Sequence, residues 1–544
     1  MLPEQSPDHL PLADAVTPLP SAVAPIAPTP IATSETKSAS LPLPTLANPV
    51  VNRFVEEAAH WDAEFIVINV MTSGIWQYEA NNFIRPIALE ADDEVAFLLD
   101  GGRVLALNLE QSDPPAVLLA PGDDITGVRV LEPLDLALLD DTLFVLDRAG
   151  DVYRHDLIAG TWQLDRYDRP VEASSGHYFI ALDTPSKSVE NDVSNSSRTL
   201  LETNYKFAMQ YGGEKDSLWN LAEGRSVDVS SFGDDTYVLQ REMFDPAGMI
   251  TKYQDTRLIK EFNPEIKIEY PRQIVVTKTA VFVLDRDGRR LLTLDPVDGS
   301  LQRLYQLPQE NPVSAFAVDS EGKIFLAGQD RLYLVAQPDQ LTAIPGGPVL
   351  EGTQPHDPRF LDSLDDFSVP IGGSNITFRD FQMPGAPRHY RLGVHQGLDF
   401  YWQPGTKVLA ASDGIVIRAD LDYVPPTAGE LASWWNDSQG RGYTAADTLD
   451  KYLGQQVWIQ HNEGLVTRYA HLRSIAPGIA EGVQVSRGQV IGEVGNSGSP
   501  ASLESERADA HLHFELWLRD TFLGQFMRPI ETREWVERIF GNGE

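Results

Sequence analysis

Phe144-Val145-Leu146-Asp147-Arg148-Ala149-Gly150 reads as a strand running into a tight turn, and the phrase returns as Phe282-Val283-Leu284-Asp285-Arg286-Asp287-Gly288. A second alternating run follows each copy: Val152-Tyr153-Arg154-His155 in one case, Leu291-Leu292-Thr293-Leu294 in the other. Two apolar runs joined by an Asp/Gly turn describe a β-hairpin. Weaker copies stand at Phe97-Leu98-Leu99-Asp100-Gly101-Gly102 and Ile324-Phe325-Leu326-Ala327-Gly328. The copies at Phe97, Phe144, Phe282 and Phe325 lie about 47, 138 and 43 residues apart, and the middle gap is close to three periods of about 46. A multi-strand unit repeating at this period predicts a β-propeller. Tyr237-Val238-Leu239 fits one missing copy, and Phe179-Ile180-Ala181-Leu182 fits another out of phase. About six blades are expected, with five to seven allowed.

Outward from the repeat, 544 residues exceed what one core organises, so more than one domain is expected. Residues 1–50 are rich in Pro, Ala, Ser and Thr without any period, which predicts a disordered linker. The propeller is expected over 51–350. An interdomain connection is expected over 351–365, and a second, strand-rich domain over 366–544. Its last segment, Trp535 to Phe540, has helical spacing and should cap that domain.

The net charge of -36 repels polyphosphate, which argues against a nucleic-acid partner. With no cysteine, any metal must be held by His, Asp or Glu. No run approaches the roughly 18 apolar residues that span a bilayer, so no integral membrane segment is expected. No signal peptide is visible from Met1 onward.

Histidine is concentrated late in the chain. In His511-Leu512-His513 the two imidazoles share one strand face, while Leu512 and Phe514 turn to the core. His395-Gln396-Gly397-Leu398-Asp399 pairs an imidazole with a carboxylate across a glycine that lets the backbone turn closely around an ion. Arg468-Tyr469-Ala470-His471-Leu472 says little by itself.

In order, these motifs are joined by Pro404-Gly405-Thr406-Lys407-Val408, Val485-Ser486-Arg487-Gly488-Gln489 and Gly495-Asn496-Ser497-Gly498-Ser499. The set resembles the lysostaphin/LytM family of zinc endopeptidases, over about the last 175 residues. The preceding repeat resembles NHL- and YWTD-like propellers in general style only. The family resemblance implies an all-β chain, with a propeller followed by an antiparallel β-sheet peptidase domain. It implies one Zn2+ per chain on His395, Asp399 and His513, with an open position for solvent. His511 would act as general base, and His471 would stabilise the oxyanion or share the proton traffic. It also implies a peptidoglycan stem peptide or cross-bridge as substrate and an extracellular or cell-envelope setting.

Other residues weigh differently. His461 reads as structural, His389 as surface or groove rim, and Glu515 as a support for the histidines. Two insertions depart from the family pattern, Asp420 to Leu453 and Ala501 to Asp509, and Trp434 and Trp435 in the first could shape the cleft. The competing readings are a catalytically silent envelope-binding or hydrolase-activating module, and a propeller that binds a protein or glycan as an interaction scaffold.

Overall fold

A computed structural model describes residues 68–335 and 364–541, apart from short internal stretches of which 166–178 and 184–197 are the longest. The expected linkers at 1–50 and 351–365 lie outside the described residues, Leu364 excepted.

Between Ile68 and Val335 the described residues form six antiparallel sheets of four or five strands, and one short ribbon pairing Asp124–Ile125 with Val128–Arg129. The innermost strands of successive sheets are Pro86–Asp92, Pro133–Leu139, Phe179–Asp183, Arg225–Phe232, Gln273–Val276 and Ala315–Val318. Each neighbours the next, and the sixth returns to the first, so the ring closes. The sixth sheet takes its outer strands from the other end of the ring: Ile75–Glu79 pairs with Arg331–Val335, Ile75 opposite Val335. This is a six-bladed propeller in which the two chain ends share a blade, leaving no open seam.

The repeated phrase has a physical cause. Its acid ends the second strand of a blade and ties down the segment entering that same blade. Asp147 accepts the backbone N–H groups of Leu131 (2.8 Å) and Glu132 (2.9 Å). Asp100 does the same for Ile84 and Arg85, at 2.8 and 2.7 Å, and Asp285 for Glu269 at 3.2 Å. In the weak fourth copy Gly328 stands where the acid would be. There Asn311 supplies an oxygen to the Gln329 N–H at 3.0 Å. The out-of-phase copy also resolves: Phe179–Asp183 is the innermost strand of its blade, and the second strand is Arg198–Glu202.

The following domain is built on one large antiparallel sheet. Its strands are β1 (Leu398–Tyr401), β2 (Gly414–Ala419), β3 (Val457–Gln460), β4 (Leu465–Ala470), β5 (Gln484–Val485) and β6 (His511–Leu518). Their order across the sheet is β1-β6-β4-β3-β2-β5. Val416, Ile459, Tyr469, Leu512 and Phe514 face one buried core, each at most 1% exposed. Burial on this scale, at about 25 cal/mol per Å2, is what holds the sheet. The first insertion folds into α1 (Ala428–Arg441) and α2 (Ala446–Tyr452). Thr427 and Glu430 form a reciprocal capping box that starts α1, and Gly442, in the left-handed region, ends it. Among the described residues no helix is long and apolar enough to cross a membrane.

The final helix, α3 (Pro529–Phe540), does more than cap its own domain. Val536, Ile539 and Phe540 enter the core of the sheet domain, while Ile530 packs among propeller residues such as Ile274 and Val283. Arg528, at its N-cap, reaches the propeller's axis. It donates to the Ile87 carbonyl (3.0 Å) and to Asp135 (2.8 Å), and it lies 3.4 Å from Asp228. These three residues belong to innermost strands of three different blades. Arg241 pairs with Glu534 at 2.8 Å, and Arg85 pairs with Glu531. The propeller and the sheet domain are therefore joined through a charged, buried seam centred on α3.

Candidate functional site

Three neighbouring strands bring the histidines together. Asp399 on β1 stands directly opposite His513 on β6, and Ala470, the last residue of β4, stands opposite His513 on the other side. His471 follows at once. It turns with φ +58°, a conformation uncommon for a non-glycine residue, while its N–H is held by the Leu453 carbonyl at 2.9 Å. Gly397 is required for a reason other than a turn around an ion: a Cβ there would collide with the Phe514 backbone on β6.

His395 Nε2, Asp399 Oδ1 and His513 Nδ1 form a triangle with edges of 2.9, 3.0 and 3.0 Å. Tetrahedral ligands with bonds of about 2.0 Å would lie about 3.3 Å apart, so the triangle is close to a metal-binding face. Each imidazole's other nitrogen is committed. His395 Nδ1 donates to the Met383 carbonyl (2.8 Å), and His513 Nε2 donates to Glu515 (2.9 Å). Two nitrogen lone pairs and a carboxylate oxygen therefore face one another at hydrogen-bond range. That arrangement is repulsive unless a cation sits among them. The donor chemistry and the orienting acceptors fit a divalent metal.

The electrostatics agree. Burial, and after it Arg388, pushes His395 down to about 3, so it is a neutral ligand. Burial alone would raise Asp399, but His395 and His511 outweigh it and hold the carboxyl well below its ordinary value. Burial also acts to lower His513, yet its bonds to Asp399 and Glu515 keep it above the usual histidine value; a metal bound at the triangle would displace the proton this favours on Nδ1. Glu515 is itself fixed by Trp517 Nε1 (2.6 Å) and Arg468 (3.3 Å). Arg468 is sandwiched between the rings of Trp458 and Trp517, at 4.0 and 3.9 Å.

The two remaining histidines are oriented alike. His511 Nδ1 donates to the Asp509 carbonyl (2.6 Å) and His471 Nδ1 to the Ser497 carbonyl (2.7 Å). Both therefore turn Nε2 toward the cleft. Their rings meet edge to face at 4.8 Å, and His511 Nε2 lies 3.8 Å from Asp399 Oδ1. Burial, with His511 and His513 nearby, holds His471 well below its ordinary value, so its Nε2 carries a lone pair.

The cleft above these residues has a volume of about 530 Å3. Both insertions rim it: Leu449, Tyr452 and Leu453 from the first, Ala501, Glu504 and Asp509 from the second. Trp434 and Trp435 do not line it. Trp434 stands behind Tyr452 in edge-to-face contact at 5.3 Å, and Trp435 is on the surface, 36% exposed. His461 is structural, with its two nitrogens bonded to the Asp413 carbonyl (2.6 Å) and Thr467 (2.8 Å). The side chain of His389 lies outside the described residues.

Sequence reasoning missed Arg388, Arg391 and Tyr401. Arg388 donates to the second oxygen of Asp399 (3.0 Å), leaving Oδ1 to the triangle. Tyr401 stacks on His511 at 4.9 Å. Two arginines in Pro387-Arg388-His389-Tyr390-Arg391, just before His395 in so acidic a chain, were the available signal.

A model described as Peptidase family M23 matches residues 438–524, a stretch that includes His471, His511 and His513. Peptidoglycan DD-endopeptidase ShyA of Vibrio cholerae is 32% identical over 129 residues, covering 24% of this chain and 21% of that protein. A lipoprotein NlpD/LppB homolog of Pseudomonas aeruginosa is 32% identical over 123 residues, covering 23% of this chain and 29% of that protein. The chain thus spans less than a third of either relative's length. The solved WD40 β-propeller domain of Doa1 is 9% identical with a TM-score of 0.35, covering 54% of this chain and 98% of that one. The C-terminal part of the chain carries a Peptidase family M23 domain, and the architecture is mostly β.

Proposed function

We propose that the C-terminal domain is a zinc-dependent endopeptidase that hydrolyses peptide bonds of bacterial peptidoglycan, and that it works at the cell envelope. The observation that carries this reading is the triangle of His395, Asp399 and His513 beside two cleft-facing imidazoles. His395, Asp399 and His513 would hold the ion. Once bound, the ion supplies Lewis-acid polarisation of the scissile carbonyl and a nucleophilic water at neutral pH.

The chain's own residues do the rest. His511 Nε2, close to Asp399, is placed to take the proton from the attacking water. The imidazolium so formed is stabilised by that carboxylate. His471 Nε2 faces the same space from just beyond β4; once it has received the proton drawn from the water by way of His511, it can donate to the developing oxyanion and pass that proton to the leaving amine. Their Nδ1 bonds to backbone carbonyls fix both rings in the required tautomer. Arg388 and Glu515 hold Asp399 and His513 in place. The relatives support the substrate: one is described as a peptidoglycan DD-endopeptidase. All five site residues stand together, which favours catalysis over a silent binding module.

The test is digestion of purified peptidoglycan by the wild type and by His513→Ala, with mass analysis of the fragments. Cleaved peptides are expected with the first and none with the second. Equal digestion by both would contradict the reading.

A further inference from the structure

Arg391 is a buried cation with no carboxylate. It is 5% exposed, it lines the cleft, and among the described residues no acidic oxygen lies within ion-pair distance of it. Its Nη2 donates to the Val394 carbonyl at 2.8 Å. Other equally buried arginines each hold a carboxylate: Arg103 with Asp100, Arg148 with Glu132, Arg290 with Asp285 and Arg528 with Asp135. Beside it stand the Tyr390 hydroxyl and Arg388, with Glu515 beyond ion-pair distance; a buried charge left without a contacting counter-ion is costly, and in a chain with 79 acidic residues one was easily supplied.

The surrounding loop is shaped to keep the guanidinium where it is. Leu392 turns the chain with φ +52°, and its carbonyl is anchored by the Thr444 N–H at 3.0 Å. A Cβ at Gly393 would collide with Arg391 Nη1, so glycine keeps that place open. Arg388 lines the same wall of the cleft, although Asp399 already occupies one of its nitrogens.

We propose that Arg391, with Arg388 beside it, forms a carboxylate-binding subsite, so that the preferred substrate carries a free carboxylate on a residue flanking the scissile bond. This rests on the hydrolase reading and narrows it. Bonds within uncharged bridges, such as glycyl-glycine, become poor substrates. Bonds beside a C-terminal carboxylate or a side-chain carboxylate become good ones. An arginine–carboxylate pair in a partly closed cleft is directional and charge-assisted.

The experiment compares four matched peptides on the metal-loaded, full-length protein: one with a terminal carboxylate, one with a side-chain carboxylate, and the carboxamide of each. Wild type is expected to cleave at least one carboxylate form about tenfold to a hundredfold faster, in kcat/KM, than its amide. Which of the two carboxylates shows the preference identifies its source. Arg391→Gln should lose that preference, its kcat/KM for the carboxylate form falling to that for the matched amide, and Arg391→Lys should keep part of it. Binding of the same peptides is measured in parallel by calorimetry. If wild type cleaves nothing yet binds the carboxylate form tighter by the same factor, the subsite stands and the hydrolase reading falls. Equal binding of acid and amide by the wild type would overturn the subsite, with no variant needed. So would an undiminished preference in a folded Arg391→Gln.

Discussion

Two buried charge clusters in this molecule look alike at first and serve different ends. At the propeller's axis Arg528 lies between Asp135 and Asp228, and its remaining N–H reaches the Ile87 carbonyl. In the sheet domain His395 and His513 close on Asp399, with Arg388 behind it. The first cluster is complete in charge: cation and carboxylates answer one another, although Arg528 and Ile87 also line a cavity of about 580 Å3. The second is incomplete, because three electron pairs converge on one point and the cleft lies beside it. Burial and charge alone do not mark a functional site; unanswered lone pairs do.

The largest expected effect breaks the second cluster. His513→Ala should lose the metal and all measurable hydrolysis, while thermal unfolding of the propeller remains, as metal analysis and calorimetry can check. Arg528→Ala breaks the first cluster instead. It leaves two buried carboxylates without their cation and should cost about 3–5 kcal/mol in denaturant unfolding. Metal bound per folded molecule should not change. Loss of metal from folded Arg528→Ala would show that the clusters are coupled through α3.

A smaller effect is expected at the support. Glu515→Gln removes the acceptor that orients His513 and should weaken zinc binding about tenfold to a hundredfold, read by competition with a chelator. The two clusters should also differ in sign with pH. Burial acts to raise Glu515, but His513 and Arg468 outweigh it and bring the carboxyl from 4.5 to about 2. Its contribution is fully present above pH 4.5 and is lost as pH falls through about 2. Asp135 is the reverse: burial raises it from 3.8 to about 7 despite Arg528. The folded state therefore holds its proton more tightly, and stability is lost as pH rises from 3.8 through about 7. Unfolding of Glu515→Gln and Asp135→Asn across pH 2 to 8 separates them: the first should lie below wild type mainly at higher pH, and the second should flatten the loss toward pH 7. The smallest effect belongs to Trp435→Ala, a surface change expected within about 0.5 kcal/mol and without influence on cleavage.

The blades were legible because their hairpins repeat an acid with a mechanical task, as Asp100, Asp147 and Asp285 demonstrate. The blade that slipped out of phase did so because its apolar run is an innermost strand rather than a second strand. In the site, the two-residue period of β6 made His511 and His513 readable as a pair. Their meeting with Asp399 depends on the β1–β6 register, which spacing alone does not reveal. Arg388, Arg391 and Tyr401 escaped because their importance lies in what they touch. The role of α3 escaped for a similar reason: its apolar spacing predicts a cap, while Arg528, Glu531 and Glu534 become meaningful only opposite the propeller's charges.

The most direct test of the central claim is a calorimetric titration of the metal-stripped protein with Zn2+, beside the His395→Ala, Asp399→Ala and His513→Ala variants. One ion per chain is expected for the wild type, with binding lost in each folded variant. A folded wild type that takes up no ion, or variants that bind it undiminished, would contradict the account.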